Sequence, residues 1–333
     1  MDAGAIHGVG VKGRVMDYGT EIKDLDSLQY MQLDNVTKII LYILEKGDIV
    51  EKEMDLDLLD ELVNYDKHQE YVIKEFITNF KTKIFGYSKR DFMLRELDGF
   101  KAILPLVKKH KVIGMPYKNT ILFGFEIIGP NRCFVINRKC KEVLSESTVN
   151  EFTETQFVKF VEDILKILIE IQNHGIAHGD IKLDNIMVCG TKYELIDWEN
   201  CRKLDYDFLK QRRYLGLSPF YFKILYGSGW YPAFKIALLK YYMETGGYNT
   251  RLTSVYANNM IGHYNTLFQE NTMEETFKKV KHSLDLCAFG MILYGIMLRN
   301  PFIKNHHSFI MNLYKMKNAK IALKQFKTKT RKK

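Results

Sequence analysis

The chain has 333 residues, of which 46% are hydrophobic, 13% aromatic and 27% charged, with a net charge of +9. That balance excludes a disordered or fibrous chain and is long enough for two lobes with a substantial core. Five cysteines (Cys133, Cys140, Cys189, Cys201, Cys287) form no Cys-x-x-Cys pair and follow no secretory leader, so a reducing, intracellular, cytoplasmic setting is expected.

In chain order, residues 4–15 place Gly8, Gly10 and Gly13 in a Gly-x-Gly-x-x-Gly pattern followed by Val15. Glycines let backbone amides approach a phosphate with no Cβ in the way, although a small-residue N-terminal loop has the same look. The run from Val36 to Tyr42 is β-branched and apolar, as a buried strand should be, and carries Lys38. Lys23 lies nearer the glycines and is followed by Asp-Leu-Asp rather than by strand residues. From His68 to Phe80, Ile73, Ile77 and Phe80 recur at helical spacing. Glu70 falls on that stripe and Glu75 points away from it, while the acidic segment Glu51 to Glu61 is another source of an inward carboxylate. Lys111–Pro116 and Thr120–Ile128 read as strands, and Gly129-Pro130-Asn131 breaks the pattern. From Thr153 to His174, Phe157, Phe160, Val161, Ile164, Leu165, Leu168 and Ile171 keep helical period, with Thr153 as N-cap and Gly175 just past the end.

The next stretch carries the chemistry. Ile176-Ala-His-Gly-Asp-Ile-Lys-Leu-Asp-Asn-Ile-Met-Val188 is followed by a turn at Gly190-Thr191-Lys192 and by Ile196-Asp-Trp-Glu-Asn200. Two short apolar runs joined by a turn read as a hairpin, which brings Asp180, Lys182, Asn185 and Asp197 to one mouth. A proton acceptor, a cation and two oxygen ligands for a hard metal are the inventory of phosphoryl transfer, where catalysis is mostly alignment and charge neutralisation.

In those motifs and their order the chain resembles the eukaryotic-type protein kinase family. The resemblance implies an α+β, bilobal fold: a β-rich N-lobe over 1–128 and a helical C-lobe over 129–333, with Gly129-Pro130-Asn131 at the hinge where adenine packs beside Glu126. It implies ATP and magnesium as cofactors, with Asp180 accepting the substrate hydroxyl proton and Lys182 contacting the transferred phosphate. Asn185 and Asp197 would hold the metal, and Gly8, Gly10, Gly13 and Val15 would cover the phosphates. Lys38 would clamp the phosphates, with Lys23 as competitor, and Glu70 would be the lysine's ionic partner. Lys182 two residues after Asp180 resembles the serine/threonine branch, which implies a protein substrate. His178 is expected to be a structural hydrogen-bonding residue.

Several positions depart from the family pattern. Gly179 stands where many kinases have an Arg that pairs with a phosphorylated activation segment, so activity is expected not to need that phosphorylation. Asp197-Trp198-Glu199 replaces Asp-Phe-Gly and resembles the aminoglycoside and choline phosphotransferases, which makes a small-molecule phosphotransferase the alternative reading, with a catalytically dead scaffold as the third. Leu215-Gly-Leu-Ser-Pro219 resembles the close of the activation segment, but Phe220 replaces its Glu, so the usual buried ion pair is expected to be absent. Asp285-Leu-Cys-Ala-Phe-Gly290 resembles the start of the central C-lobe helix, with Asp285 anchoring the catalytic-loop backbone.

The aromatic-rich insertion over about 220–284 is open between covering a substrate groove, docking a partner and filling core. Leu286 to Leu298 is too short an apolar run to span a bilayer and reads as a buried helix. The stretch after that helix is short, so the family's last helices are expected to be abbreviated or divergent. From Lys304 to Lys333 ten basic residues occur with no Asp or Glu. Such a run could meet nucleic acid, an acidic membrane surface or an acidic partner, and is more commonly solvated. The divergent end motifs and the Lys/Ile/Asn-rich composition resemble the kinases of large DNA viruses, which would place the protein in host cytoplasm or virion; oligomeric state is left open.

Overall fold

A computed structural model of the chain describes residues 14–16, 20–24, 39–45, 48–54, 71–76, 88–109, 123–127, 132–138, 142–144, 146–207, 219–244 and 250–330. The protein is mixed α and β, mostly helical with small sheets. It divides into two compact units, Met1–Lys101 with Pro116–Lys139, and Ala102–Met115 with Cys140–Lys333.

The first unit is built on a seven-stranded sheet: β1 (Arg14–Met16), β2 (Thr20–Asp24), β3 (Ile39–Glu45), β4 (Asp48–Met54), β5 (Tyr71–Phe76), β6 (Phe123–Ile127) and β7 (Arg132–Arg138). Its order is β1-β2-β5-β7-β6-β3-β4, and every neighbour pair is antiparallel. β3 and β4 form a hairpin in which Glu45 faces Asp48, and this hairpin is one edge of the sheet. Helix α1 (Lys89–Lys109) starts at Ser88, whose hydroxyl accepts the Asp91 amide while the Asp91 carboxylate accepts the Ser88 amide. That reciprocal pair satisfies donors otherwise orphaned at a helix start. Met93, Leu97 and Phe100, on one stripe of the helix, are buried.

Two sequence expectations fail here. Residues 71–76 are strand, not helix, because β5 is central and hydrogen-bonded on both edges, Ile22 facing Lys74 on one side and Val135 facing it on the other. The helical spacing of Ile73, Ile77 and Phe80 could not compete with two ladders of backbone bonds, and Tyr-Val-Ile is a run that suits a pleated surface. Gly129-Pro130-Asn131 lies outside the described residues, but the strands on either side, β6 and β7, are neighbours in one sheet with Ile127 facing Arg132, so the boundary expected at 128/129 falls within the first unit. The chain divides after Lys139. A Gly-Pro-Asn turn signal serves a hairpin as well as a hinge.

The second unit is organised around helix α3 (Glu154–Asn173), preceded by the short α2 (Glu146–Asn150). Thr153 caps α3 with a reciprocal bond to Gln156, and the helix buries Phe157, Phe160, Val161, Ile164, Leu165, Leu168 and Ile171. Beyond it lie β9 (Ile176–Ala177), β10 (Ile186–Cys189), β11 (Lys192–Leu195) and β12 (Arg202–Lys203), with β8 (Glu142–Val143) before it. β10 pairs with both β8 and β11, and β9 pairs with β12.

The insertion is helical: α4 (Pro219–Tyr226), α5 (Trp230–Glu244), α6 (Thr250–Glu270) and α7 (Met273–Val280). Phe220 is fully buried with its ring 5.1 Å from Phe268, 5.4 Å from Phe277 and 6.5 Å from Tyr264. Aromatic packing therefore occupies this position, and the insertion contributes core.

Helix α8 (Leu284–Arg299) is buried along almost its whole length. Met273–Arg299 is the one described stretch long and apolar enough to cross a membrane, and 83% of its apolar window is buried inside the protein. After α9 (His307–Ile310), the basic segment forms α10 (Ala319–Thr330). This last helix packs on α3: Phe326 meets Phe157 edge-on, and the Ala319 amide donates to Gln172 Oε1 at 2.8 Å.

Candidate active site

The arc from His178 to Asp197 is held from below by one carboxylate. Asp285, in the first turn of α8, is buried and accepts the backbone amides of His178 at 2.8 Å and Gly179 at 3.0 Å. Gly179 has φ 84, a left-handed conformation that L side chains rarely adopt. The backbone turn at this position therefore favours glycine.

His178 is fully buried and links the two halves of the arc. Its Nε2 donates to the Ile196 carbonyl at 3.0 Å and its Nδ1 accepts the Asp180 amide at 3.3 Å, which fixes the neutral Nε2–H tautomer. Burial lowers the His178 pKa below its usual value, against the opposing pull of Asp285, Asp180 and Asp197. Those three carboxylates therefore all lie within electrostatic range of one imidazole. The ring of Trp198 lies 4.6 Å from that of His178 and is itself buried.

Asp180, Lys182 and Asn185 form one hydrogen-bonded group. Lys182, only 2% exposed, donates from Nζ to Asp180 Oδ2 at 2.9 Å. Asn185 donates from Nδ2 to the Asp180 carbonyl at 2.9 Å and to Oδ2 at 3.1 Å. With its amide hydrogens directed at Asp180, Asn185 keeps Oδ1 buried and without a hydrogen-bond partner. A buried orphan acceptor costs roughly 1–3 kcal/mol unless something binds it.

Asp197 adjoins this group, because the Ile196 amide donates to the Asn185 carbonyl at 2.9 Å. Asp197 has φ 65 and ψ 65, and among the described residues it is the one non-glycine with positive φ. Such a conformation costs about 1–3 kcal/mol and persists where surroundings over-determine it. Here the flanking Ile196 is bonded on both sides, by Asn185 and His178, and Trp198 is locked into the core.

No group of three or more His, Cys, Asp or Glu side chains among the described residues could hold a metal ion by itself. The donor set of Asp197 and the orphan Asn185 Oδ1 is nevertheless the kind that suits a hard cation completing its shell with phosphate and water.

The first unit carries a second ionic feature. Lys74 Nζ lies 2.6 Å from Glu96 Oε2, joining the central strand β5 to α1, and both residues are buried. A neighbouring pair, Glu75 with Arg132, is bidentate at 2.7 and 2.8 Å.

The expected phosphate-loop glycines Gly8, Gly10 and Gly13, the expected clamp Lys38 and its expected partner Glu70 lie outside the described residues, as do Tyr214 and Ser218. Val15 lies in β1, in register with Glu21, and Lys23 lies in β2, in register with Ile73. Glu126 accepts the Tyr42 hydroxyl at 3.0 Å, so it belongs to a bonded cluster. The Lys74–Glu96 ion pair was not anticipated from the sequence. The available signal was the β-branched pair Val72-Ile73 directly before a lysine, with Ser88 and Asp91 marking a capped helix start downstream. Of the cysteines, Cys133 and Cys287 have thiols pushed up to about 12 by burial, as is usual for thiols enclosed in a core.

No family model matches the chain, and no curated protein matches it.

Proposed function

We propose that the protein is a protein-kinase-like phosphotransferase of bilobal fold, moving the ATP γ-phosphate to a serine or threonine hydroxyl of a protein. The observation that carries this reading is the Asp180–Lys182–Asn185 group with its orphan acceptor beside the left-handed Asp197. A half-buried carboxylate locked to a buried lysine and a buried carboxamide does little for stability that apolar residues would not do better. Strained backbone and an unsatisfied acceptor at one place point to a ligand.

In this reading Asp180 uses Oδ1 to orient the incoming hydroxyl and accept its proton, since Oδ2 is engaged by Lys182 and Asn185. Lys182 sits beside that carboxylate to meet the transferred phosphoryl group. Asp197 and Asn185 Oδ1 would hold magnesium, which when bound neutralises phosphate charge. Asp285 and His178 keep the loop rigid, so the groups need no reorganisation at the moment of transfer. Lys74, pinned by Glu96, takes the phosphate-anchoring role that the sequence had suggested for Lys38.

The alternative, a phosphotransferase for a small alcohol or amine, is favoured by Trp198-Glu199 in place of Phe-Gly. Incubation with labelled ATP and either a casein-like protein or a panel of aminoglycosides and choline separates the two. Transfer to protein alone supports the proposal, transfer to a small molecule alone overturns the substrate class, and no transfer with either favours the scaffold reading.

A further inference from the structure

The Lys74–Glu96 pair depends on where α1 lies, and the start of that helix is gripped by the β3–β4 edge of the same unit. Arg90, in its first turn, places its guanidinium 5.4 Å from the centre of the Tyr42 ring on β3. Its Nη2 donates to Glu51 on β4 at 2.9 Å, and its Nε lies 3.7 Å from Glu126 Oε2 on β6. Tyr42 is fully buried and donates its hydroxyl to that same Glu126 oxygen. Burial, and then the Glu126 carboxylate, push the Tyr42 hydroxyl far above its ordinary pKa, so it remains a donor.

The contacts differ in weight. Arg90 and Glu51 are both well exposed, and such pairs contribute little. Glu126 and Tyr42 are buried, and a guanidinium over an aromatic face beside a desolvated carboxylate is a stronger anchor. Ser88 and Asp91 cap the same turn, so the helix end is specified twice, by its cap and by Arg90.

We propose that Arg90, seated on Tyr42 of β3 and Glu126 of β6, is a positioning residue for the Lys74–Glu96 pair, tying the start of the helix that carries Glu96 to the sheet that carries Lys74. The functional consequence rests on the phosphotransferase reading; the structural one does not. If Arg90 sets the helix, its loss must loosen Glu96 and weaken its ion pair with Lys74.

The test is acylation of lysines in the full-length protein by an amine-reactive reagent, read by peptide mass spectrometry, with exposed Lys304 as internal standard and Glu96→Gln as the reference for loss of the Lys74–Glu96 ion pair. Arg90→Ala should raise the Lys74 rate about fivefold over wild type while Lys304 is unchanged. Arg90→Lys, which keeps charge but loses the planar stack, should fall between them. Tyr42→Phe removes only the hydroxyl bond to Glu126 and gives a milder second variant should Arg90→Ala fold poorly. Its Lys74 rate should also rise. An unchanged Lys74 rate in folded Arg90→Ala or, failing that, in Tyr42→Phe overturns the proposal. Calorimetric titration with Mg-ATP is the second readout, in which Arg90→Ala should weaken affinity by a similar factor. A wild-type protein that does not bind Mg-ATP while Lys74 labelling responds as expected overturns the phosphotransferase reading and sustains the positioning role.

Discussion

The carboxylate of Asp285 and the backbone of His178 are joined by a 2.8 Å hydrogen bond across 107 residues of sequence. With the second bond to Gly179, one side chain at a helix start fixes the loop that carries Asp180. Asp285 is buried, and desolvation raises its pKa while the imidazole and the two amides pull it down. A buried acceptor facing two buried donors makes its removal costly in proportion to what it leaves unpaired.

Asp285→Ala should therefore destabilise the protein by about 3 kcal/mol, through two buried amides left without an acceptor. Asp285→Asn keeps one acceptor and should cost less. Urea unfolding midpoints at constant slope measure both, and near-equal midpoints for wild type and Asp285→Ala would show that the loop is held by other means.

The pH dependence follows from His178. Its folded-state pKa is lowered, first by burial, so between that value and the usual 6.5 the unfolded chain binds the extra proton. Stability is then complete above the unfolded pKa and falls as pH drops below about 6.5. Asp285, whose pKa is raised by burial, contributes in the opposite sense, losing stability as pH rises through its folded value. Unfolding midpoints measured from neutral to mildly acidic pH should show the histidine fall, and His178→Gln should flatten it. A wild-type profile already flat across that interval would contradict the assignment.

Gly290 on α8 faces the hydroxyl of Tyr256, and a Cβ there would overlap it while also meeting the ring carbon and Leu313. Tyr256 is itself stacked on Tyr294 at 5.5 Å and edge-on to Tyr314 at 5.4 Å, so the ring has nowhere to retreat. Gly290→Ala should cost about 1–3 kcal/mol by overpacking. Tyr256→Phe in the same chain should recover part of that loss, and thermal melts of the double variant read the coupling directly.

At the proposed active site the variants should divide by role. Asp180→Ala should lower turnover about a hundredfold or more with little change in nucleotide affinity. Asp197→Ala should abolish the magnesium-dependent part of that affinity, and Lys74→Met should weaken nucleotide binding. Single-turnover kinetics alongside calorimetric titration separate the two classes, and equal affinity losses in Asp180→Ala and Asp197→Ala would reverse the assigned roles.

Gly179 bears on regulation. The position that would supply a cation to a phosphorylated segment is a glycine at φ 84, which an Arg could not occupy without strain. Protein made in bacteria and treated with phosphatase should be as active as untreated protein. Strict dependence on phosphorylation of Tyr206, Tyr214 or Ser218 would refute this.

The parts of the site legible in sequence were those whose geometry is local. Asp180, Lys182 and Asn185 lie within six residues, and a short turn returns the chain to Asp197, so spacing alone placed them together. The buried helix of Glu154–Asn173 was legible for the same reason: its period repeats over five turns and its cap spans four residues, Thr153 to Gln156. The segment from His68 to Phe80 was misread because three apolar residues satisfy a helical stripe by chance, whereas the strand is chosen by β2 and β7, which lie about fifty to sixty residues away in either direction.

The amino-acid order by itself determined the hydrogen-bonded arc from Asp180 to Asp197, the capped core helix and the apolar character of α8, since each follows from interactions between residues a few positions apart. Tertiary structure decided which lysine is clamped, which glutamate clamps it, and that Asp285 reaches back to His178. Those choices rest on strand pairing and on desolvation of ionic partners far apart in the chain, and neither energy is written into any short window of sequence.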